Sequence, residues 1–422
     1  MPSVHVIGAG LAGLAAAVRL AAAGWDVALY EAAGRAGGRC RSFHDKHLGL
    51  MIDNGNHLVL SGNSSAMAFL DEVGARHAMI GPERAVFPFI DIATGERWRL
   101  ELGAGPIPWW VADRARRVPG TSLADYLSAA RLVAPPAGVT VADRIRTDGV
   151  LYKRFWEPLT LAALNTSAER GQARLLWAVL KETFLKGEAA CRPLIAKEGL
   201  GPSFVDPALA FLGRAGARVE FNRRLRAVQR SDGRIAALDF GVEKVELAAD
   251  DKVVLALPPS RAKEIFPELD PPEEGEVIVN AHYVLDAPVE APDGAVFMGL
   301  INARAHWVFV RENVVSVTIS AAGDVGEEDA AHDELIPALW REVAMALALG
   351  GREYEAARII KEKRATFDQS PAGVARRLPA ETAIPNLVLA GDWTDTKLPA
   401  TIEGAIRSGH TAAAVLAPRR TA

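Results

Sequence analysis

The chain has 422 residues, long enough for two domains, and half of them are hydrophobic, ample for sizeable cores. Its 48 basic and 52 acidic residues leave a net charge of −4, so the chain as a whole offers no basic excess with which to hold nucleic acid. Two cysteines, Cys40 and Cys191, fit a reducing compartment, cannot build a metal cluster alone, and read as small buried hydrophobes.

The chain opens on a buried strand, Val4–Ile7, then Gly8-Ala9-Gly10-Leu11-Ala12-Gly13, an alanine-rich helix, and a second strand, Asp26–Tyr30, that ends at Glu31. Gly8 permits the tight turn, Gly10 lets the backbone approach a pyrophosphate, and Gly13 lets the helix sit close to the strand. The helix starting near Leu11 aims its free N–H groups and positive dipole end at that pyrophosphate. Glu31 follows Gly13 by about the ~20 residues at which an acid meets the ribose hydroxyls. A carboxylate there repels a 2′-phosphate, which disfavours NADP. The apolar run Val4–Gly24 is read as strand and helix, not as a leader or a membrane span. It follows Met1-Pro2-Ser3 with no positive segment, carries Arg19, and has the cofactor-loop glycine spacing. No other stretch is long and apolar enough to span a bilayer, so the protein is expected in the cytoplasm, free or attached to the membrane surface.

Next comes Gly34-Arg35-Ala36-Gly37-Gly38-Arg39, glycines beside two guanidiniums, suited to wrapping an anionic cofactor. The 78–102 portion reads as antiparallel strands. Ile107-Pro108-Trp109-Trp110-Val111, followed by Arg114, Arg116 and Arg117, is either an aromatic and cationic edge suited to an anionic bilayer or an internal knot with a solvated basic turn. The 122–186 portion carries apolar residues at helical spacing (Phe155, Leu159, Ala162; Leu175, Leu176, Val179). Arg218–Asn222 and Leu225–Val228 read as strands, as does Lys252–Leu257, ended by Pro258-Pro259. Val279–Leu285, Trp307–Val310 and Val314–Ser320 read as further antiparallel strands, and Glu327–Leu349 as an amphipathic helix. Leu387–Ala390 is a buried strand, Gly391-Asp392 a turn, and Ile402–Leu416 a helix whose first turn again offers free N–H groups.

The opening glycine motif, Glu31, and Gly34 to Arg39, together with Asn386–Thr394 and Pro399–Ala405, resemble the FAD-binding segments of the amine oxidase and phytoene desaturase superfamily. The resemblance implies an α/β fold, with a Rossmann-like FAD-binding domain and a second α+β substrate domain. It implies FAD contacts from Gly8, Gly10, Leu11, Ala12, Gly13, Glu31, Arg35, Gly37, Gly38 and Arg39. Leu225 sits where the superfamily's backbone meets adenine. Gly391 and Asp392 match the ribityl site, and Thr401, Ile402 and Ala405 the helix start facing the flavin ring. The expected division is discontinuous: 1–75, 200–260 and 380–422 for FAD, 76–199 and 261–379 for substrate.

Asp53–Asn63, Phe155–Leu159, Leu164–Thr166, Ala190–Ile195 and Lys361–Phe367 are similar, more narrowly, to the hydroxysqualene dehydroxylase family of bacterial hopanoid biosynthesis. That likeness implies reductive removal of an allylic hydroxyl from a C30 isoprenoid, hydroxysqualene, to give squalene. Hydroxide leaves poorly, so a proton donor is needed, typically worth 10²–10⁴-fold. The candidates are His57, Asp53 and, behind them, Asp395. Asp53 has a rival role in fixing the Asp53-Asn54-Gly55 turn, and His57 one as a satisfied histidine at the domain seam. Amine oxidases of the superfamily typically carry aromatics at the positions of both Trp393 and Thr401, so Thr401 argues against an amine substrate. No cysteine lies near the terminal flavin-facing stretch, so FAD is expected to be held non-covalently. Gly213-Arg-Ala-Gly216 lacks the spacing of a second dinucleotide site, and NAD(P)H or a redox protein both remain open as electron donor. Desaturation of an isoprenoid by oxidised FAD is the competing activity, and a non-catalytic prenyl-lipid carrier the competing class.

Overall fold

Short apolar runs from both ends of the chain and its middle pair into one sheet. In the computed structural model, which describes residues 2–105, 107–324 and 326–417, the chain opens with β1 (Ser3–Ile7), α1 (Leu11–Ala22) and β2 (Asp26–Tyr30). After α2 (Ser64–Glu72) come β3 (Val86–Asp91) and β4 (Arg97–Glu101), then α3 (Leu123–Leu127), α4 (Glu157–Leu164) and α5 (Ala173–Glu182). Next are β5 (Arg218–Glu220), β6 (Lys252–Leu255), β7 (Ile278–Val284), β8 (Phe297–Ile301), β9 (Trp307–Arg311) and β10 (Val314–Ile319). The last are α6 (His332–Ala346), β11 (Ala356–Glu362), β12 (Leu387–Leu389) and α7 (Ile402–Leu416). Met1 and 418–422, the outer ends of the stretches expected to bind FAD, lie outside the described residues.

The first sheet is wholly parallel, in the order β5-β2-β1-β6-β12. Parallel strands are covered on both faces, and Val4, Val6, Val27, Leu29, Val253, Val254 and Leu255 are accordingly buried without alternation. The small residues of α1 let α7 pack along it, which ties the two ends of the chain together.

The second sheet has seven strands in the order β11-β7-β10-β9-β8-β3-β4. Its pairings are antiparallel except for one: β3 and β8 run parallel, so the sheet expected to be antiparallel is mixed. Two stretches far apart in sequence meet there, and neither carries a signal of direction. One face of this sheet, including Ala281, Val308, Val317 and Ile319, is sealed by Leu335, Leu339, Trp340 and Val343 of α6. The opposite face presents Phe87, Phe89, Phe297, Trp307 and Phe309 towards the parallel sheet and the helices of 151–184.

Three expected boundaries move. The strand expected at 225–228 is Ala227–Ser231, and it joins a separate three-stranded antiparallel sheet. The helix expected from Glu327 begins at His332, because Glu327 is turned into an ion pair with Arg304. Residues 152–156 widen into a π-helical turn ahead of α4. No helix among the described residues is long and apolar enough to cross a membrane.

Candidate active site

The glycine turn is built as its spacing requires. Gly8 has φ of +105°, and a Cβ there would stand 2.5 Å from the Ala256 carbonyl oxygen. A Cβ on Gly13 would lie 1.9 Å from the Gly8 oxygen, so only glycine lets α1 approach β1 this closely. At Gly10, the N-cap of α1, a Cβ would meet nothing within 4 Å, and the first-turn N–H groups of Leu11, Ala12 and Gly13 open on that space. This open cradle at a helix N-terminus fits an anionic pyrophosphate.

The loop after β2 folds back over the turn. Gly37 N–H donates to the Ala9 carbonyl at 2.8 Å, and a Cβ on Gly38 would come 3.3 Å from the Gly10 Cα. Glu31 accepts from the Ala9 N–H at 2.9 Å and the Ala33 N–H at 2.8 Å, so its carboxylate lies beside the glycine turn. The Arg223 N–H donates to the Glu31 carbonyl at 2.8 Å, which brings the buried Leu225 to this end of the sheet. Arg39 reaches across to the far end of the chain: it pairs with Asp392 at 2.7 Å and donates to the Ala365 carbonyl at 2.6 Å. Gly391 N–H donates to Ser408 Oγ at 2.8 Å, while Thr401 caps α7 by accepting from the Gly404 N–H at 3.1 Å. Ile402 is buried and Ala405 half-buried in that same first turn. Of the residues expected here, Arg35 alone stands apart, exposed, with its guanidinium 6.0 Å from the Phe43 ring.

One contributor escaped the sequence reading. Arg377, buried, donates to the carbonyls of Leu398 (2.8 Å), Asp392 (2.9 Å) and Thr394 and lies 4.8 Å over the Phe367 ring. It thereby fixes the loop that carries Asp392, and burial lowers its pKa to about 10. Glu403, on the helix start that the resemblance sets against a flavin ring, instead holds α2. Its buried carboxylate accepts the Ser65 and Ala66 N–H groups at 3.0 and 2.8 Å, capping α2, and pairs with Arg407 at 2.7 Å.

The strap 53–57 runs from this grip to the seven-stranded sheet. Asn54 contacts the Arg39 carbonyl at 3.5 Å, and Asn56 donates to Thr318 Oγ1 on β10 at 3.1 Å. Asp53 accepts from Leu200 N–H at 2.9 Å and Ser42 Oγ at 2.5 Å and pairs with Arg311 of β9 at 3.1 Å. A buried carboxylate so engaged ties the strap to β9 and to the backbone at Leu200. Asp395 is taken up by Lys397. His57 is half-buried, and its Nδ1 lies 3.2 Å from the Gly55 carbonyl. Burial lowers its pKa below the usual 6.5, outweighing the Gly55 hydrogen bond, so the resting imidazole is neutral.

The strap borders an aromatic chamber. β9 is the middle strand of the sheet, yet Trp307 and Phe309 on its inner face remain part-exposed, whereas Val308 on the sealed face is 0 % exposed. The centre of this face is therefore not fully covered, and Phe87, Phe89, Phe297 and, from the helices, Phe155 and Phe184 ring it. His282 on β7, beyond β10, contacts Ser316 Oγ at 2.7 Å, and burial pushes its pKa down to about 4. A lone histidine in a strand carries no signal that singles it out.

Comparison with known proteins agrees with this arrangement. The family described as flavin containing amine oxidoreductase matches residues 11–417. Hydroxysqualene dehydroxylases from Rhodopseudomonas palustris and Sinorhizobium fredii are 46% and 44% identical to this chain, each alignment covering 97% of both chains. The solved cyclohexylamine oxidase of Brevibacterium oxydans shares the fold at a TM-score of 0.72 and 14% identity, covering 98% of each chain. The chain belongs to the flavin-containing amine oxidoreductases and, within them, to the hydroxysqualene dehydroxylase family.

Proposed function

We propose that this chain binds FAD without a covalent link and uses it to replace the hydroxyl of hydroxysqualene by hydrogen, releasing squalene and water. One observation carries the reading: a part-exposed aromatic sheet face stands next to a dinucleotide grip, with an imidazole on the strap between them. The open cradle at Gly10, Glu31 beside it, and Asp392 held by Arg39 suit the pyrophosphate, ribose and ribityl parts of FAD. Cys40 and Cys191 are both buried, with pKa values pushed up to about 12 by burial, which supports a non-covalent cofactor. We assign 1–75, 200–260 and 380–422 to the FAD domain and the rest to the substrate domain, a division supported by the strand membership of the parallel sheet.

When bound and reduced, FAD supplies a hydride. The protein's part is to break the carbon–oxygen bond in a dry chamber. The bond's electron pair leaves with oxygen, which takes a proton and departs as water, and the allylic carbon takes the hydride. His57 Nε2, turned from the Gly55 carbonyl that engages Nδ1, is the atom that would carry the proton. Its lowered pKa makes the protonated form scarce but a strong acid. Trp307, Phe309 and Phe297 exclude water and offer ring faces to the positive charge spread over the alkene. Anaerobic incubation of the reduced protein with hydroxysqualene tests the proposal: squalene should form in step with flavin reoxidation. Conversion of squalene by the oxidised protein, with no reaction on hydroxysqualene, would favour desaturation instead.

A further inference from the structure

Six of the nine large hydrophobic side chains that stand exposed among the described residues fall between 107 and 150: Ile107, Trp109, Leu123, Leu127, Val133 and Val150. Trp109 is 72% and Leu127 74% exposed. The fold gathers them. Leu123 and Leu127 lie one turn apart on α3. Trp110, buried beside Trp109, packs edge-on against Tyr126 of α3 at 5.8 Å. A Cβ on Gly120 would come 3.3 Å from Val150, and Arg144 donates to the Arg131 carbonyl at 2.7 Å. Only one of the two adjacent tryptophans is therefore on the surface, but it is joined by residues up to 41 positions away.

The same stretch is basic in an acidic protein. Residues 107–154 hold eight arginines and lysines against four aspartates and no glutamate, a net charge of +4 in a chain of −4. The four aspartates are engaged locally: Asp113 with the Ala115 N–H, Asp125 with Ser122, Asp143 with Thr140, and Asp148 with Arg146. Arg114, Arg131 and Lys153 are exposed and pair with no carboxylate among the described residues.

We propose that this face docks on an anionic lipid bilayer, with Trp109, Leu123 and Leu127 entering the headgroup region and the cations meeting lipid phosphates. The charge fits that surface. The choice of a bilayer over a protein partner rests on the proposed substrate, which is itself dissolved in lipid. Directly behind the face, Trp110, Val118 and Leu132 join the same apolar cluster as Phe89 and Phe297, so docking would set the chamber against the substrate's own medium.

Flotation of the FAD-loaded protein with phosphatidylcholine vesicles, with and without phosphatidylglycerol, tests this. The parent should float with the anionic vesicles. Trp109→Ser/Leu127→Ser should stay behind, and Arg114→Gln/Lys153→Gln should lose the preference for phosphatidylglycerol, each lost charge weakening binding about fivefold. All variants should keep the parent's flavin absorbance and its turnover of detergent-dispersed hydroxysqualene. Equal flotation of parent and Trp109→Ser/Leu127→Ser would overturn the proposal. So would a parent dimer that Leu127→Ser converts to monomer, since the face would then be a subunit contact. Absence of turnover in the parent would count against the proposed reaction alone, because flotation is read without substrate.

Discussion

Replacing Glu403 by glutamine distinguishes a residue that faces the cofactor from one that holds two helices together. One carboxylate oxygen accepts from Ser65 N–H and Arg407, the other from Ala66 N–H. A glutamine can satisfy only one side, so its amide hydrogens must face a buried N–H, a mismatch of about 1–3 kcal/mol. Loss of negative charge at the start of α2 adds about 0.3–1 kcal/mol. Arg407 keeps Glu182 at its other side, so its charge is not stranded, and the total comes to about 3 kcal/mol, the low end for opening a buried ion pair. At roughly 2 cal/mol/K per residue, unfolding 422 residues carries about 0.9 kcal/mol/K, and the midpoint should fall by about 3 °C. Circular dichroism melting of the FAD-loaded protein measures this, beside the flavin absorbance, which should keep its shape. An unmoved midpoint with a shifted flavin band would refute the reasoning and place the carboxylate at the ring.

Gly13→Ala should yield colourless protein, because its Cβ would meet the Gly8 oxygen at 1.9 Å; retention of the flavin band after gel filtration would count against the cradle. His57→Gln should keep bound FAD and lose about 10²–10⁴-fold in turnover, with unchanged turnover removing it as the proton carrier. In the parent, protonated His57 becomes scarcer as pH rises through its lowered pKa, so single-turnover rates should increase towards acid and the profile should flatten in His57→Gln. Trp307→Leu keeps the wall apolar but removes a ring face worth about 0.5–2 kcal/mol to a cation, so turnover should drop about 2–30-fold while squalene binding holds; equal turnover would exclude the ring from charge stabilisation. Stability has a sign of its own. His282 and His306 have folded pKa values lowered to about 4, while the unfolded chain takes up protons near 6.5, so their contribution is complete above 6.5 and declines as pH falls towards 4. Midpoints measured across that range should show the slope, and it should be shallower in His282→Asn.

What could be read from the chain was whatever its local chemistry dictates. Gly8 and Gly13 are legible because no other residue fits the turn and the helix–strand contact, and Gly10 because it leaves the approach to the start of α1 open. The flanking strands are legible because a parallel sheet buries both faces and leaves continuous apolar runs. The terminal Gly391-Asp392 turn and the α7 start were legible for the same reasons. Roles set by partners far along the chain were not. Asp53 reads as an acid or a turn residue, and nothing local announces its partner Arg311, 258 positions away. Glu403 looks directed at the cofactor until α2 arrives at its carboxylate. Trp109 and Trp110 are indistinguishable as adjacent aromatics in an irregular segment, and only packing against Tyr126 decides which one is inside. The parallel joint between β3 and β8 depends on the path of everything between them.

The order of strands in the parallel sheet bears on how the holoprotein comes into being. β12 and α7 lie after residue 386, yet β12 pairs with β6 and α7 packs along α1, both of which leave the ribosome much earlier. A ribosome therefore exposes the glycine turn and Glu31 for most of its transit without the segment that closes the other half of the clasp. On the proposed assignment, FAD loading waits for these late segments, and a chain cut short before Gly391 should stay apo however much cofactor is supplied.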